Sequence, residues 1–160
     1  MFDLSPEQIG TFDLVIACEV IEHVAYPLKL LAHLKSFLTE DGHILLTTPN
    51  GSYFRNKLPT YSGVSDFEQL EALQFKPDAD GHLFLLTPQE LFDLATSVGL
   101  HVARLNVWGT PVLSGHLGLR SLAAPFLLRP GYFIEQLAQQ LPSAGREQVC
   151  TGLSAILRLS

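Results

Sequence analysis

The chain has 160 residues, enough for one domain with a real hydrophobic core. Its formal net charge of −6 offers no basic field for a phosphate backbone and argues against tight, sequence-independent nucleic-acid binding. Hydrophobic residues make up 47% and charged residues only 16%, so either an α/β core is well buried or some apolar surface belongs against a partner.

In chain order, residues 1–11 read as a polar lead-in, with Pro6 and Gly10 arguing for a loop. Phe12 to Cys18 is an apolar run broken only by Asp13, the pattern of a strand buried on both faces of a sheet. It breaks abruptly into Glu19, Glu22 and His23, which puts polar chemistry at the carboxyl edge of a sheet, where open α/β sheets bind ligands. A helix follows from Pro27 to about Thr39. Leu30, Leu31, Leu34, Phe37 and Leu38 form its apolar stripe, and Gly42 is its C-terminal signal. The second strand is His43 to Thr48, ended by Pro49-Asn50-Gly51. Strand, crossover helix and strand make a right-handed parallel βαβ unit.

Residues 51–81 form a long connection punctuated by Gly51, Pro59, Gly63, Pro77 and Gly81, with a short helix expected over Ser65 to Leu73. A loop of this length at a sheet's carboxyl edge is placed to act as a lid or substrate-side segment. Arg55 and Lys57 make a small basic spot in it, whose plainest reading is two solvated charges. Thr87-Pro88-Gln89-Glu90 is a capping box, with Leu86 and Leu91 as its hydrophobic staple, and Gly99 ends the helix that follows. The third strand, His101 to Val107, alternates Ala103, Leu105 and Val107 against Arg104 and Asn106, as near a sheet edge. Residues 109–150 are expected to be a largely helical insertion, with an amphipathic helix from Tyr132 to Leu141 between Pro130 and Pro142. Leu153 to Leu159 is the last strand.

Cys18 and Cys150 have no metal-type spacing, which fits a reduced, intracellular and cytoplasmic protein. The N-terminus has neither a basic region nor an apolar signal core. The apolar stretch from Val112 to Leu128 is interrupted by His116 and Arg120, so no membrane span is expected.

From Phe12 to Asn50, and again from His82 to about Val107, the sequence resembles the second half of a class I S-adenosylmethionine-dependent methyltransferase. The likeness rests on FDLVIACEVIEHV, the Leu-rich helix and Asp41-Gly42-His43-Ile44-Leu45-Leu46-Thr47-Thr48-Pro49-Asn50. More narrowly it is similar to the branch holding the ubiquinone-pathway O-methyltransferases and the small-RNA 2′-O-methyltransferases. The resemblance implies an α/β, Rossmann-like fold in which the four strands match strands four to seven, the last antiparallel and inserted between the fifth and sixth. The first three strands, with the glycine-rich cofactor loop, have no counterpart here, Gly115 and Gly118 being too far apart and following no strand. The expectation is therefore a fragment or half-domain, inactive by itself, with one apolar edge of Phe12–Cys18 exposed. That edge would meet a missing N-terminal half or a second copy.

The resemblance also implies the site. Ala17, Cys18 and Glu19 match residues lining the methionine part of S-adenosylmethionine, although a small buried hydrophobe is the ordinary fate of a free cysteine such as Cys18. Asp3 matches only loosely the acidic residue that meets the adenine. Glu19, Glu22, His23 and His82 match residues that hold a divalent ion, and two carboxylates with two imidazoles suit Mg, Mn or Zn. Two other readings stand beside the metal: a structural Glu-His pair, and His23 or His82 as general base. Trp108, Tyr53 and Phe54 are candidates for lining a small-molecule pocket or for plain packing. The leading expectation is methyl transfer to a small-molecule acceptor, at oxygen. A non-catalytic binding or assembly module and a metal-dependent nucleic-acid 2′-O-methyltransferase are the alternatives.

Overall fold

The computed structural model describes residues 3–74, 81–114 and 124–160. Pro77, Gly115, His116, Gly118 and Arg120 lie outside the described residues. Four strands form one sheet: β1 (Phe12–Cys18), β2 (Leu38–Pro49), β3 (Leu100–Trp108) and β4 (Gly152–Leu159), in the order β1-β2-β4-β3. β1 and β2 run parallel, and β4 lies antiparallel to both β2 and β3. This is the strand order expected for strands four to seven of the methyltransferase sheet.

The helices are α1 (Pro6–Ile9), α2 (Pro27–Ser36), α3 (Phe67–Leu73), α4 (Pro88–Ser97), α5 (Pro111–Ser114), α6 (Ala124–Gln139) and α7 (Ser143–Val149). Period-two burial fixes which sheet face is inside: Ile44, Leu46 and Thr48 of β2 and Leu153, Ala155 and Leu157 of β4 are buried, with half-buried residues between them. Leu30 and Leu31 of α2 and Leu91, Leu94 and Ala95 of α4 join these residues in one core. The capping box is present in full: Glu90 N–H donates to Thr87 Oγ1 at 3.1 Å, and Thr87 N–H donates to Glu90 Oε2 at 2.8 Å. Leu86 and Leu91 are both fully buried, and Gly99 takes φ +70° just past the helix.

Several sequence expectations are corrected. Residues 6–9 form a short helix, because Ser5 and Gln8 satisfy its first turn. α2 stops at Ser36, and Gly42 lies within β2, where a Cβ would sit 2.9 Å from the Phe12 carbonyl oxygen; the glycine permits close approach of β1 and does not end the helix. β3 shifts register between Val102 and Arg104, so Ala103 is exposed despite its place in the alternation. Pro130 lies inside α6, which begins well before the expected Tyr132.

The largest correction concerns β1. It is not buried on both faces: Leu14 is 54% and Ile16 59% exposed, and only Ala17 is buried. β1 is the edge of the sheet, with β2 as its one paired neighbour among the described residues. The expected exposed apolar edge is present.

Candidate functional site

The site begins at a backbone break. Glu19, the residue after β1, has φ +53°, the left-handed region that a residue with a Cβ enters at a cost of about 1–2 kcal/mol. Two contacts with β2 hold it there: Glu19 N–H donates to the Thr47 carbonyl at 2.9 Å, and Thr47 Oγ1 donates to Glu19 Oε1 at 2.9 Å. The turn sends the chain off the sheet into a 3-10 turn over Ile21–His23 and carries Glu22 under the carboxyl end of β2.

Glu22 is fully buried. Its Oε2 accepts the Thr48 hydroxyl at 2.9 Å, while Oε1 has no hydrogen-bond partner among the described residues. Burial pushes its carboxyl above the ordinary glutamate range, the Glu19 charge adds to this, and hydrogen bonds from its own backbone and Thr48 offset part of it.

The connection does fold back. Leu83 N–H donates to the Glu22 carbonyl at 2.8 Å and sets His82 beside the turn. His82 Nε2 lies 3.9 Å and His23 Nε2 4.0 Å from Glu22 Oε1. The two rings meet edge to face at 4.8 Å. His23 Nδ1 is 3.2 Å from the Gly81 carbonyl. A carbonyl only accepts, so that ring nitrogen carries a proton, and Nε2 faces the carboxylate.

Glu22, His23 and His82 each offer a ligand atom, all within 4.8 Å of one another, and Glu19 is outside this group. Ligands about 2.1 Å from one tetrahedral ion stand roughly 3.4 Å apart, so the cluster must close further to hold one. The orphaned, buried Oε1, with two imidazole nitrogens about it, suits a cation or a hydroxyl proton.

Beside this cluster a crevice of about 640 Å³ opens at the carboxyl ends of β1, β2 and β3. Glu19, His82, Arg55, Lys57 and Trp108 line it, and Tyr53 lines both it and a second cavity of about 400 Å³ bordered by Phe54. The three aromatics named from sequence thus all border cavities. Of the expected cofactor-lining residues, Ala17 is buried at the end of β1, and Cys18 and Glu19 are exposed at the open edge; Asp3 is exposed. Among the described residues no helix is long and apolar enough to cross a membrane.

Sequence reasoning missed Asn50 except as a strand terminator. It is buried, and its Nδ2 donates to the carbonyls of Glu147 at 2.7 Å and Cys150 at 2.8 Å, while Oδ1 accepts from Ser52 N–H at 3.0 Å. It ties the 51–56 turn to α7 and so holds Tyr53, Phe54 and Arg55 at the crevice. A buried asparagine next to a Pro in a sheet-edge turn was the available signal.

A family model described as a methyltransferase domain matches residues 2–105. An S-adenosylmethionine-dependent methyltransferase from Mesorhizobium loti is similar in structure at 14% identity and TM-score 0.51, covering 92% of this chain and 62% of that one. An O-methyltransferase from a trans-AT PKS multienzyme of Brevibacillus brevis, in complex with S-adenosyl-L-homocysteine, gives 17% identity and TM-score 0.47 over 94% of this chain and 44% of that one. The cyclase SpnF gives 11% and 0.48 over 93% and 50%. The chain therefore spans about half the length of these last two. No curated protein matches the sequence.

Proposed function

The chain belongs to the methyltransferase domain family, and from that premise we propose that the intact protein moves a methyl group from S-adenosylmethionine to an oxygen of a small-molecule acceptor held in the crevice. The observation that carries the reading is the Glu22 cluster: a buried carboxylate with an orphaned oxygen, faced by two imidazole nitrogens, beside a crevice at the carboxyl edge of this sheet. When bound, S-adenosylmethionine supplies the methyl group on a sulfonium. Ala17, Cys18 and Glu19 would hold its methionine part, with the left-handed turn at Glu19 exposing backbone at the strand end.

The chain's own residues do the acid-base work. The imidazole of His82 borders the crevice and accepts the proton of the acceptor hydroxyl, with His23 and Glu22 behind it stabilising the imidazolium that results. Positioning of acceptor oxygen and methyl carbon in line supplies much of the remaining rate. Glu22, His23 and His82 would also hold a divalent ion, Mg, Mn or Zn, which would lower the pKa of the acceptor hydroxyl. Glu19 already engages the Thr47 hydroxyl, and its place in such a ligand set requires it to turn away.

Among the described residues no glycine-rich loop joins a strand to a helix. We expect cofactor retention to need further polypeptide against the exposed edge of β1. Calorimetry of the chain with S-adenosylhomocysteine should give no heat at about millimolar ligand, a level at which even weak complexes are detected. Saturable heat would mean that the chain holds the cofactor alone. The activity test is transfer of a tritiated methyl group to a panel of phenols and carboxylic acids by the intact protein. His82→Ala is expected to lower kcat by about 10²–10⁴-fold with KM little changed. Transfer to amines alone would move the acceptor class, and an unaffected His82→Ala enzyme would remove the imidazole from the reaction.

A further inference from the structure

The second cavity, of about 400 Å³, falls in the size range of small-molecule sites. The turn at Phe54, the start of α5, α6, the residue Leu141 just beyond it, and α7 line it, and it is open to solvent on one side. Val112, Ile134, Leu137, Leu141 and Val149 give it an apolar wall, and Phe54, 64% exposed, stands at its rim.

One polar feature breaks the apolar lining. Thr110 borders the cavity but is tied to Glu135, its backbone N–H donating to Glu135 Oε2 at 2.6 Å. Among the described residues lining the cavity, Arg55 carries the one formal charge, and it borders the larger crevice as well. Tyr53 also faces both spaces. The two spaces therefore share a cation in their walls, with apolar side chains lining one and His82 lining the other.

We propose that this cavity takes the apolar tail of the methyl acceptor, and that the acceptor is an amphipathic acid whose anionic group meets Arg55. The proposal rests on the methyltransferase reading for the word acceptor and deepens it by naming the substrate class. A macromolecular partner fits the cavity poorly: it is small, and it shares Tyr53 and Arg55 with the crevice, which suits one extended molecule lying along both. The Arg55–Lys57 spot, read from sequence as solvated charge, becomes an electrostatic guide to that junction.

The test is calorimetric titration of the chain with decanoate and with the neutral 1-decanol, without cofactor. Decanoate is expected to bind saturably. Arg55→Gln is expected to weaken decanoate by about fivefold to tenfold and leave decanol unchanged, as for one lost charge-assisted contact. Ala138→Phe, which fills the cavity from α6, is expected to weaken both by at least about tenfold. Where circular dichroism shows Ala138→Phe misfolded, Val149→Phe fills the cavity from α7 and carries the same expectation. Ile16→Glu, on the β1 edge, is expected to change nothing. Undiminished decanoate binding in a folded cavity-filling variant, or its loss in Ile16→Glu, would overturn the proposal. Because the readout is binding without cofactor, a failure of methyl transfer with decanoate binding intact would count against the reaction alone.

Discussion

Glu22 Oε1 and His82 Nε2 stand 3.9 Å apart, too far for a hydrogen bond and close enough to share a third group. The Leu83 amide on the Glu22 carbonyl makes them neighbours across a long connection. The carboxylate is buried and the imidazole half-exposed, so the gap opens toward solvent from a fixed inner wall.

Glu22→Gln keeps an acceptor for the Thr48 hydroxyl and removes a buried charge. Its folding stability is expected to be unchanged or higher by about 1 kcal/mol, in the usual exchange between stability and function. Combined with His82→Ala, it is expected to abolish binding of Mn²⁺ followed by paramagnetic relaxation of water. Mn²⁺ affinity equal to that of the unaltered chain would eliminate the metal at this site.

The β1 edge predicts self-association of the 160-residue chain. Ile16 and Leu14 present apolar side chains on a strand with an open hydrogen-bonding edge. Sedimentation velocity should show concentration-dependent association, and Ile16→Lys should shift the distribution toward monomer. The melting temperature should barely move, since an exposed site contributes little to folding. A concentration-independent monomer would sink the idea.

Asn50→Ala leaves the carbonyls of Glu147 and Cys150 and the Ser52 amide without their partner. A loss of about 2–4 kcal/mol in urea unfolding is expected for such a buried network. Looser tethering of Phe54 and Arg55 should accompany it, read as faster amide exchange over residues 51–56 than in the parent chain. Unchanged exchange there would mean that other contacts hold the turn.

Glu90 predicts an acid-side stability loss. Burial raises its carboxyl, but hydrogen bonds from Ser62 and Thr87 outweigh burial and leave it below the ordinary range. A carboxyl depressed on folding contributes stability above its unfolded pKa. That contribution fades as pH falls through the ordinary glutamate range toward the lower folded value. Glu90→Gln should lower stability by about 1 kcal/mol near neutral pH and flatten the acid limb. Parallel pH profiles for the two proteins would show that the carboxylate charge is not involved.

What could be read in advance was local. The Thr87–Glu90 box, the proline openings of α2 and α4, and the span of β1 depend on residues a few positions apart, and all appear as expected. Gly42 and Pro130 were misread because the same residue types serve both as breakers and as points of close approach or mid-helix tolerance. The exposure of Leu14 and Ile16 was hidden because an apolar run reports what a strand is suited to bury, not what covers it.

The residues alone determined the chemistry on offer: an apolar strand ending in two glutamates and a histidine, a second histidine downstream, and the punctuation that sets helix ends. Only the tertiary structure decided which of these meet. The left-handed turn at Glu19 and the Leu83–Glu22 hydrogen bond bring Glu22, His23 and His82 together and hold Glu19 on Thr47 instead. The reason is physical: a side chain's type is written one position at a time, whereas its neighbours depend on backbone hydrogen bonds between segments whose separation along the chain carries no local signal.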